Sequence, residues 1–235
     1  LECIRSEIDP DGWAAGGAWD NANLNFRNTP YYPSFVATAF HKVTQFAQEN
    51  NWDLRLLSWA FMFVGERCFE GTRSFSTQGI DKAILNLFRM YAKVGDQAVY
   101  LESSGAKNPL DYADINGRGE TPDITGFATL NDDQTVTVFI YCHHDDWHIS
   151  DQYQITIALR RRPFVTEQIK IDHYRIDHAH SNAYAEWLRQ GKPMYPTPAE
   201  YESMKAQDGL ERYAGDTQVR HEESVTEITF DIPVH

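Results

Sequence analysis

The stretch RSEIDPDG, Arg5 to Gly12, sets carboxylates beside a proline and a glycine. A strand-like lead-in, ECIRS, delivers Glu7 to a loop with Asp9, Pro10, Asp11 and Gly12. Glu7 would then stand at the C-terminal end of a strand, where barrel enzymes keep their catalytic groups. A solvated acidic loop is the competing reading. Trp59, in LSWAF, follows an apolar run; the C–H face of a pyranose packs on an aromatic plane, and a core tryptophan is the alternative. Glu66 and Arg67, in VGERCFEGTRS, have the groups to hydrogen-bond hydroxyls or to form a surface ion pair. HHDDWH, with His143, His144, Asp145, Asp146 and His148, has the residue types of a metal site but not the spacing. Adjacent histidines on a strand point to opposite faces, and no fixed second ligand pair accompanies them, so a polar hairpin end is expected and no metal. Asp177, His178 and His180, in IDHAH, read the same way, with side chains bonded to turn backbone. No Gly-rich phosphate loop is present, and no cofactor is implied.

The elements that must position these residues fall into two textures that change near residue 96. In YPSFVATAFHKVTQFAQE, Tyr32 to Glu49, the residues Phe35, Val36, Ala39, Phe40, Val43 and Phe46 form the stripe of an amphipathic helix. DLRLLSWAFMF, Asp53 to Phe63, has the continuous apolar character of a strand buried on both faces. GIDKAILNLFRMYAKVG, Gly79 to Gly95, predicts a second helix with Ile80, Ala83, Ile84, Leu87, Phe88 and Tyr91 on one face. Carboxylate loop, helix, strand, helix is the cadence of α/β units. Beyond Asp96 the period becomes two: QAVYLES, DITGFATLND, QTVTVFIYCHHDD, QYQITIALRRRP, TEQIKIDHYRID and SVTEITFDIPVH predict short strands of an antiparallel β-sandwich. The expected class is thus α/β plus all-β, divided into residues 1–95 and 96–235.

Composition narrows the partners. Asp and Glu outnumber Lys and Arg by 34 to 21, for a net charge of −13, and no basic cluster could neutralise a run of phosphates. Nucleic acid and anionic membrane surfaces are poor partners for such a chain. The cysteines, Cys3, Cys68 and Cys142, show no paired spacing and leave the compartment open. No apolar run approaches the roughly 20 residues of a membrane span, so the expectation is a soluble protein, whether cytoplasmic, periplasmic or secreted. One feature resists a self-contained reading. Residues 1–95 supply about two βα units where a barrel needs eight, and their sheet edges would be open.

A longer match resolves this. HYRIDHAHSNAYAEWLRQGKPMYPTPAEY, His173 to Tyr201, resembles a segment of glycoside hydrolase family 39, the family of β-xylosidases and α-L-iduronidases. Arg175, Ile176, Asp177, His180, Ser181, Asn182, Trp187, Gly191, Pro193 and Pro196 to Pro198 carry the resemblance. SEIDPDG is similar to the segment around that family's catalytic nucleophile on the seventh barrel strand, and FRNTPYYPSFVATAF to the helix that follows it. LSWAF is similar to the eighth strand, and GTRSFSTQGIDKAILNLFRMYAKVG to the final loop and helix of the bacterial β-xylosidase branch.

The resemblance implies the last two βα units of a (β/α)8 TIM barrel followed by an accessory sandwich, with Glu7 as the nucleophile of a retaining exo-glycosidase. Trp59, Glu66 and Trp13 are the substrate-binding candidates. The family's acid/base glutamate lies in an Asn-Glu-Pro motif that this chain does not contain, so the fragment alone would be inactive. Expected partners are a xylo-oligosaccharide or aryl xyloside, the N-terminal portion of the barrel as a preceding segment or companion chain, and a second copy in a homo-oligomer. An inactive remnant serving as a carbohydrate-binding or interaction module, and an α-L-iduronidase-like glycosidase, are the alternatives.

Overall fold

The computed structural model describes residues 2–5, 17–58, 60, 64–108, 121–133, 135–160, 169–222 and 224–235. Strand β1 (Glu2–Arg5) leads through a 3-10 turn (Ala22–Asn28) to helix α1 (Tyr31–Glu49) and strand β2 (Asp53–Leu56). β1 and β2 pair in parallel, Glu2 opposite Asp53 through Arg5 opposite Leu56, and α1 is the crossover that parallel pairing requires. At the end of α1, Asn50 Nδ2 donates to the Phe46 carbonyl at 2.8 Å, and Asn51 turns the chain at a φ of 53°.

The predicted stripe of α1 is half right. Val36 is fully buried and Phe35 and Phe40 pack beside it, but Val43 and Phe46 are exposed. β2 is likewise not buried on both faces: Asp53 and Arg55 are exposed while Leu54 and Leu56 are partly covered. Among the described residues β2 has one neighbouring strand, so its alternation is that of a half-covered sheet.

A two-strand hairpin, β3 (Ser76–Thr77) and β4 (Ile80–Asp81), precedes helix α2 (Ala83–Tyr91). Its turn residues, Gln78 and Gly79, both have positive φ, as a two-residue hairpin demands. The predicted helix therefore begins four residues late, because Ile80 and Asp81 are committed to the ladder with Ser76 and Thr77.

The later half holds strands β5 (Gln97–Val99), β6 (Asp123–Leu130), β7 (Val136–His143) and β8 (Gln152–Arg160). The predicted strand over TEQIKIDHYRID shrinks to β9 (Tyr174–Arg175) among the described residues. Helices α3 (Ala183–Arg189) and α4 (Pro198–Lys205) follow, α4 opened by a Thr197/Glu200 capping box with Pro198 in its first turn. Then come β10 (Glu211–Arg212), which pairs with β9, and a hairpin of β11 (Gln218–Glu222) and β12 (Val225–Pro233). Among the described residues two three-stranded antiparallel sheets result, ordered β5-β6-β7 and β11-β12-β8. A cleft of about 740 Å³ lies between them, lined by Val138 and Ile140 on one side and Ile157, Leu159 and Phe230 on the other. Cys68 and Cys142 are buried free thiols. Among the described residues no helix is long and apolar enough to cross a membrane.

Among the described residues two apolar cores hold the elements together, and each joins residues on both sides of position 95. Tyr32, Val36 and Ala37 of α1 meet Ile84 and Leu87 of α2 and Phe139 and Tyr141 of β7. Cys68, Phe69 and Ile80 meet Ala183, Tyr184 and Trp187 of α3 and Met204 of α4. At about 25 cal/mol per Å² of apolar surface, burying these aromatic side chains is the main force fixing the β-rich half to the α/β half.

Candidate active site

The direction of the chain relates the candidate residues to one another. β1 and β2 run parallel, so the segments leaving Arg5 and Leu56 emerge at the same end of the pair. Glu7 and Trp13 follow β1, and Trp59 follows β2; all three lie outside the described residues. α1 begins at this end, since it must return to the start of β2. Its Tyr32 hydroxyl lies 3.3 Å from Ser58 Oγ, just beyond the end of β2.

Glu66 belongs to a loop locked from several directions. A side chain at Gly71 would come within 2.1 Å of Glu66 Oε2, so the carboxylate fills space that only glycine leaves open. Arg67 does not pair with Glu66. Its guanidinium bonds Glu70, whose Oε2 also accepts from the Arg67 N–H at 2.7 Å, and it lies 5.1 Å over the Trp19 ring. The Arg67 hydrogen bond holds the Glu70 carboxyl below the usual carboxylate range. Trp19 Nε1 donates to the Cys68 carbonyl at 3.1 Å, and Asn28 Nδ2 to the Phe69 carbonyl at 3.0 Å. Phe69, at a φ of 54°, donates its N–H to Thr77 Oγ1 at 2.8 Å.

Beneath the loop lies Lys82, fully buried, its ammonium bonded to the Gly71 carbonyl. Burial pushes the amine down to about 7, against the opposing pull of Glu66 and Cys68. Nothing in GIDKA marks Lys82 as buried; its burial follows from the ladder that turns β4 inward.

The HSNAYAEW segment forms the floor of this loop. The Trp187 ring packs 5.9 Å from Trp19 and 5.2 Å from Phe69, and its Nε1 donates to the Pro193 carbonyl at 3.0 Å. Asp177 Oδ1 accepts from the N–H groups of Ala179 and His180 at 2.8 and 2.9 Å and lies 2.8 Å from His180 Nδ1. These polar residues organise the turn into α3.

The HHDDWH motif meets the start of α1. Ser34 Oγ lies 2.9 Å from His143 Nδ1 and 3.0 Å from His235 Nδ1. Ser34 Oγ also donates to the Tyr31 carbonyl at 2.9 Å, and His235 Nε2 lies 3.3 Å from the Asp146 carbonyl. His143 Nε2 lies 3.7 Å from Asp145. Burial pushes His143 down to about 3 and His235 to about 4, so both are neutral. Among the described residues no three His, Cys, Asp or Glu side chains are grouped to hold a metal.

The sequence of residues 18–217 matches the model of glycosyl hydrolases family 39. The chain belongs to that family. Its fold is similar to the structure of a GH39 beta-xylosidase from Caulobacter crescentus, with a TM-score of 0.52 and 10% identity over 94% of this chain. The family-39 chain described here spans 42% of that protein's length, and at this identity the likeness speaks for the fold alone. No match was found among curated protein sequences. The family match begins beyond Glu7 and Trp13, and it contains Trp59, Glu66 and the α3 segment.

Proposed function

We propose that this chain is the C-terminal part of a retaining exo-glycosidase that removes terminal β-D-xylosyl residues, with Glu7 as the nucleophile. In this reading β1, α1, β2 and α2 are the last two βα units of a (β/α)8 barrel, and the strands beyond residue 95 are an accessory sandwich. The observation that carries it is the parallel pair. In a family-39 chain, the segments bearing Glu7 and Trp59 leave their strands at one end, the end at which such barrels place their chemistry.

The reaction runs in two displacements. A carboxylic acid from the remainder of the barrel gives its proton to the glycosidic oxygen as that C–O bond breaks, and Glu7 bonds to the anomeric carbon. Retention requires the two carboxyl groups about 5–5.5 Å apart. Water, losing a proton to the same acid/base residue, then attacks the anomeric carbon and frees Glu7. Trp59 supplies the plane for the sugar's C–H face, and Glu66 accepts from its hydroxyls. Xylose is favoured over a uronic acid by the likeness of GIDKAILNLFRM to the bacterial xylosidase branch.

An activated 2-deoxy-2-fluoro-xyloside tests this in the protein that carries the whole barrel. The expected result is one trapped sugar on the peptide containing Glu7, and loss of turnover by at least about a thousandfold in Glu7→Gln. A label on another carboxylate, or an active Glu7→Gln enzyme, removes the assignment.

A further inference from the structure

The turn after β7 carries groups that the hydrolytic reading does not use. Asp145, Asp146, Trp147 and His148 are held beside the start of α1, whose Tyr31 hydroxyl reaches the Asp145 carbonyl and whose Tyr32 hydroxyl lies 3.3 Å from Ser58 Oγ, just past β2. The Trp147 ring lies 6.3 Å from Phe26 and 4.1 Å from His148, and Phe26 packs edge-on against Tyr31 at 5.6 Å. Phe26, Tyr31 and Trp147 are only partly covered, and the Asp145 side chain is 52% exposed.

The turn is fixed in place. The Asp146 N–H donates to His144 Nδ1 at 2.9 Å, and Asp146 Oδ1 accepts from the His148 N–H at 3.1 Å. The Ile149 N–H reaches the Asp146 carbonyl at 3.2 Å, and the Tyr31 hydroxyl donates to the Asp145 carbonyl at 3.4 Å. Burial, with Asp145 and Asp146 alongside, pushes the Tyr31 phenol up to about 12, so it stays a donor.

We propose that Trp147, Phe26 and Asp145 form a second sugar subsite, contributed jointly by the β-rich half and the entrance to α1, that binds a residue of a xylo-oligosaccharide next to the one being cleaved. The inference rests on the glycosidase reading above. Partly exposed rings held by a rigid turn suit the apolar face of a pyranose, and an adjacent carboxylate suits its hydroxyls. A seam whose only task was to join the two halves would bury its rings, as Phe139 and Tyr141 do on β7, the strand that leads into this turn.

The test compares kcat/KM on xylotriose with kcat/KM on an aryl β-xyloside in the protein carrying the whole barrel. Trp147→Ala is expected to lower the xylotriose-to-aryl ratio about tenfold, and Asp145→Asn, an isosteric change at an exposed site, about threefold. Equal losses on both substrates, or an unchanged ratio in both variants, overturn the subsite while leaving the glycosidase standing. A wild-type enzyme that cleaves neither substrate overturns the glycosidase reading, and the subsite with it.

Discussion

The parallel strand pair and the Glu66 loop invert the usual relation between regularity and burial. β1 and β2 are regular, yet Ile4 is 59% exposed and Leu57, just past β2, 52%. Cys68 and Phe69 sit in an irregular loop and are fully buried. Packing partners, not hydrogen-bond regularity, decide which is buried. The loop has α3 and α4 beneath it, Lys82 bonded within it and Trp19 beside it, whereas the pair has α1 on one side and, among the described residues, no further strand.

The largest effect should come from removing the loop's floor. Trp187 is 4% exposed and touches Trp19, Phe69 and Tyr184, so Trp187→Ala leaves a cavity under the loop. The expected loss is about 3–5 kcal/mol, read from the urea midpoint at constant slope. A loss under about 1 kcal/mol would mean that the loop is held from above.

A second effect is an acid limb set by the seam between α1 and β7. His143 and His235 have folded-state pKa values of about 3 and 4, below the ordinary 6.5. The unfolded chain therefore takes up protons that the folded one refuses. Their contribution is fully present above pH 6.5 and is lost as pH falls through 4 and then 3, at up to about 1.4 kcal/mol per pH unit for each proton. The groups facing His143 are Ser34, Tyr31 and Phe35 from α1, with His144, Asp145 and His235; Asp145 alone would welcome its charge. Replacing His143 with Gln should flatten this limb in a stability-against-pH series. An unchanged slope would assign the acid sensitivity to other groups.

Much of this was legible in the residues. The N-terminal half of the α1 stripe, the face of α2 and the alternation of β8 follow from side-chain period, whereas β6 and β7 are strands whose burial does not alternate. What period could not show is which stretches compete for the same backbone. Ile80 and Asp81 fit a helix and are taken by a ladder; TEQIKIDHYRID alternates like a strand, yet among its described residues only Tyr174 and Arg175 pair, with Glu211 and Arg212. The site residues divide in the same way. Trp187 was marked by its motif, whereas Lys82, Trp19 and Ser34 matter through partners far away in sequence, which no local pattern reveals.

The smallest effect tests the exposed member of the comparison. Phe46 is 47% exposed and meets the Trp52 ring edge-on at 5.4 Å, on the C-terminal half of an α1 stripe whose other half is core. In this chain Phe46→Ser should change stability by no more than about 0.5 kcal/mol, the range of ordinary surface substitutions. In a protein with the six preceding βα units of the proposed barrel, a neighbouring element would cover this face, and the same substitution should cost about 2 kcal/mol or more. Paired thermal or urea unfolding of the two proteins decides the matter. A small cost in both means that the stripe stays bare and the contrast with the loop is intrinsic to the fold; a cost in the longer protein alone means that the strand pair becomes core once its neighbours are in place.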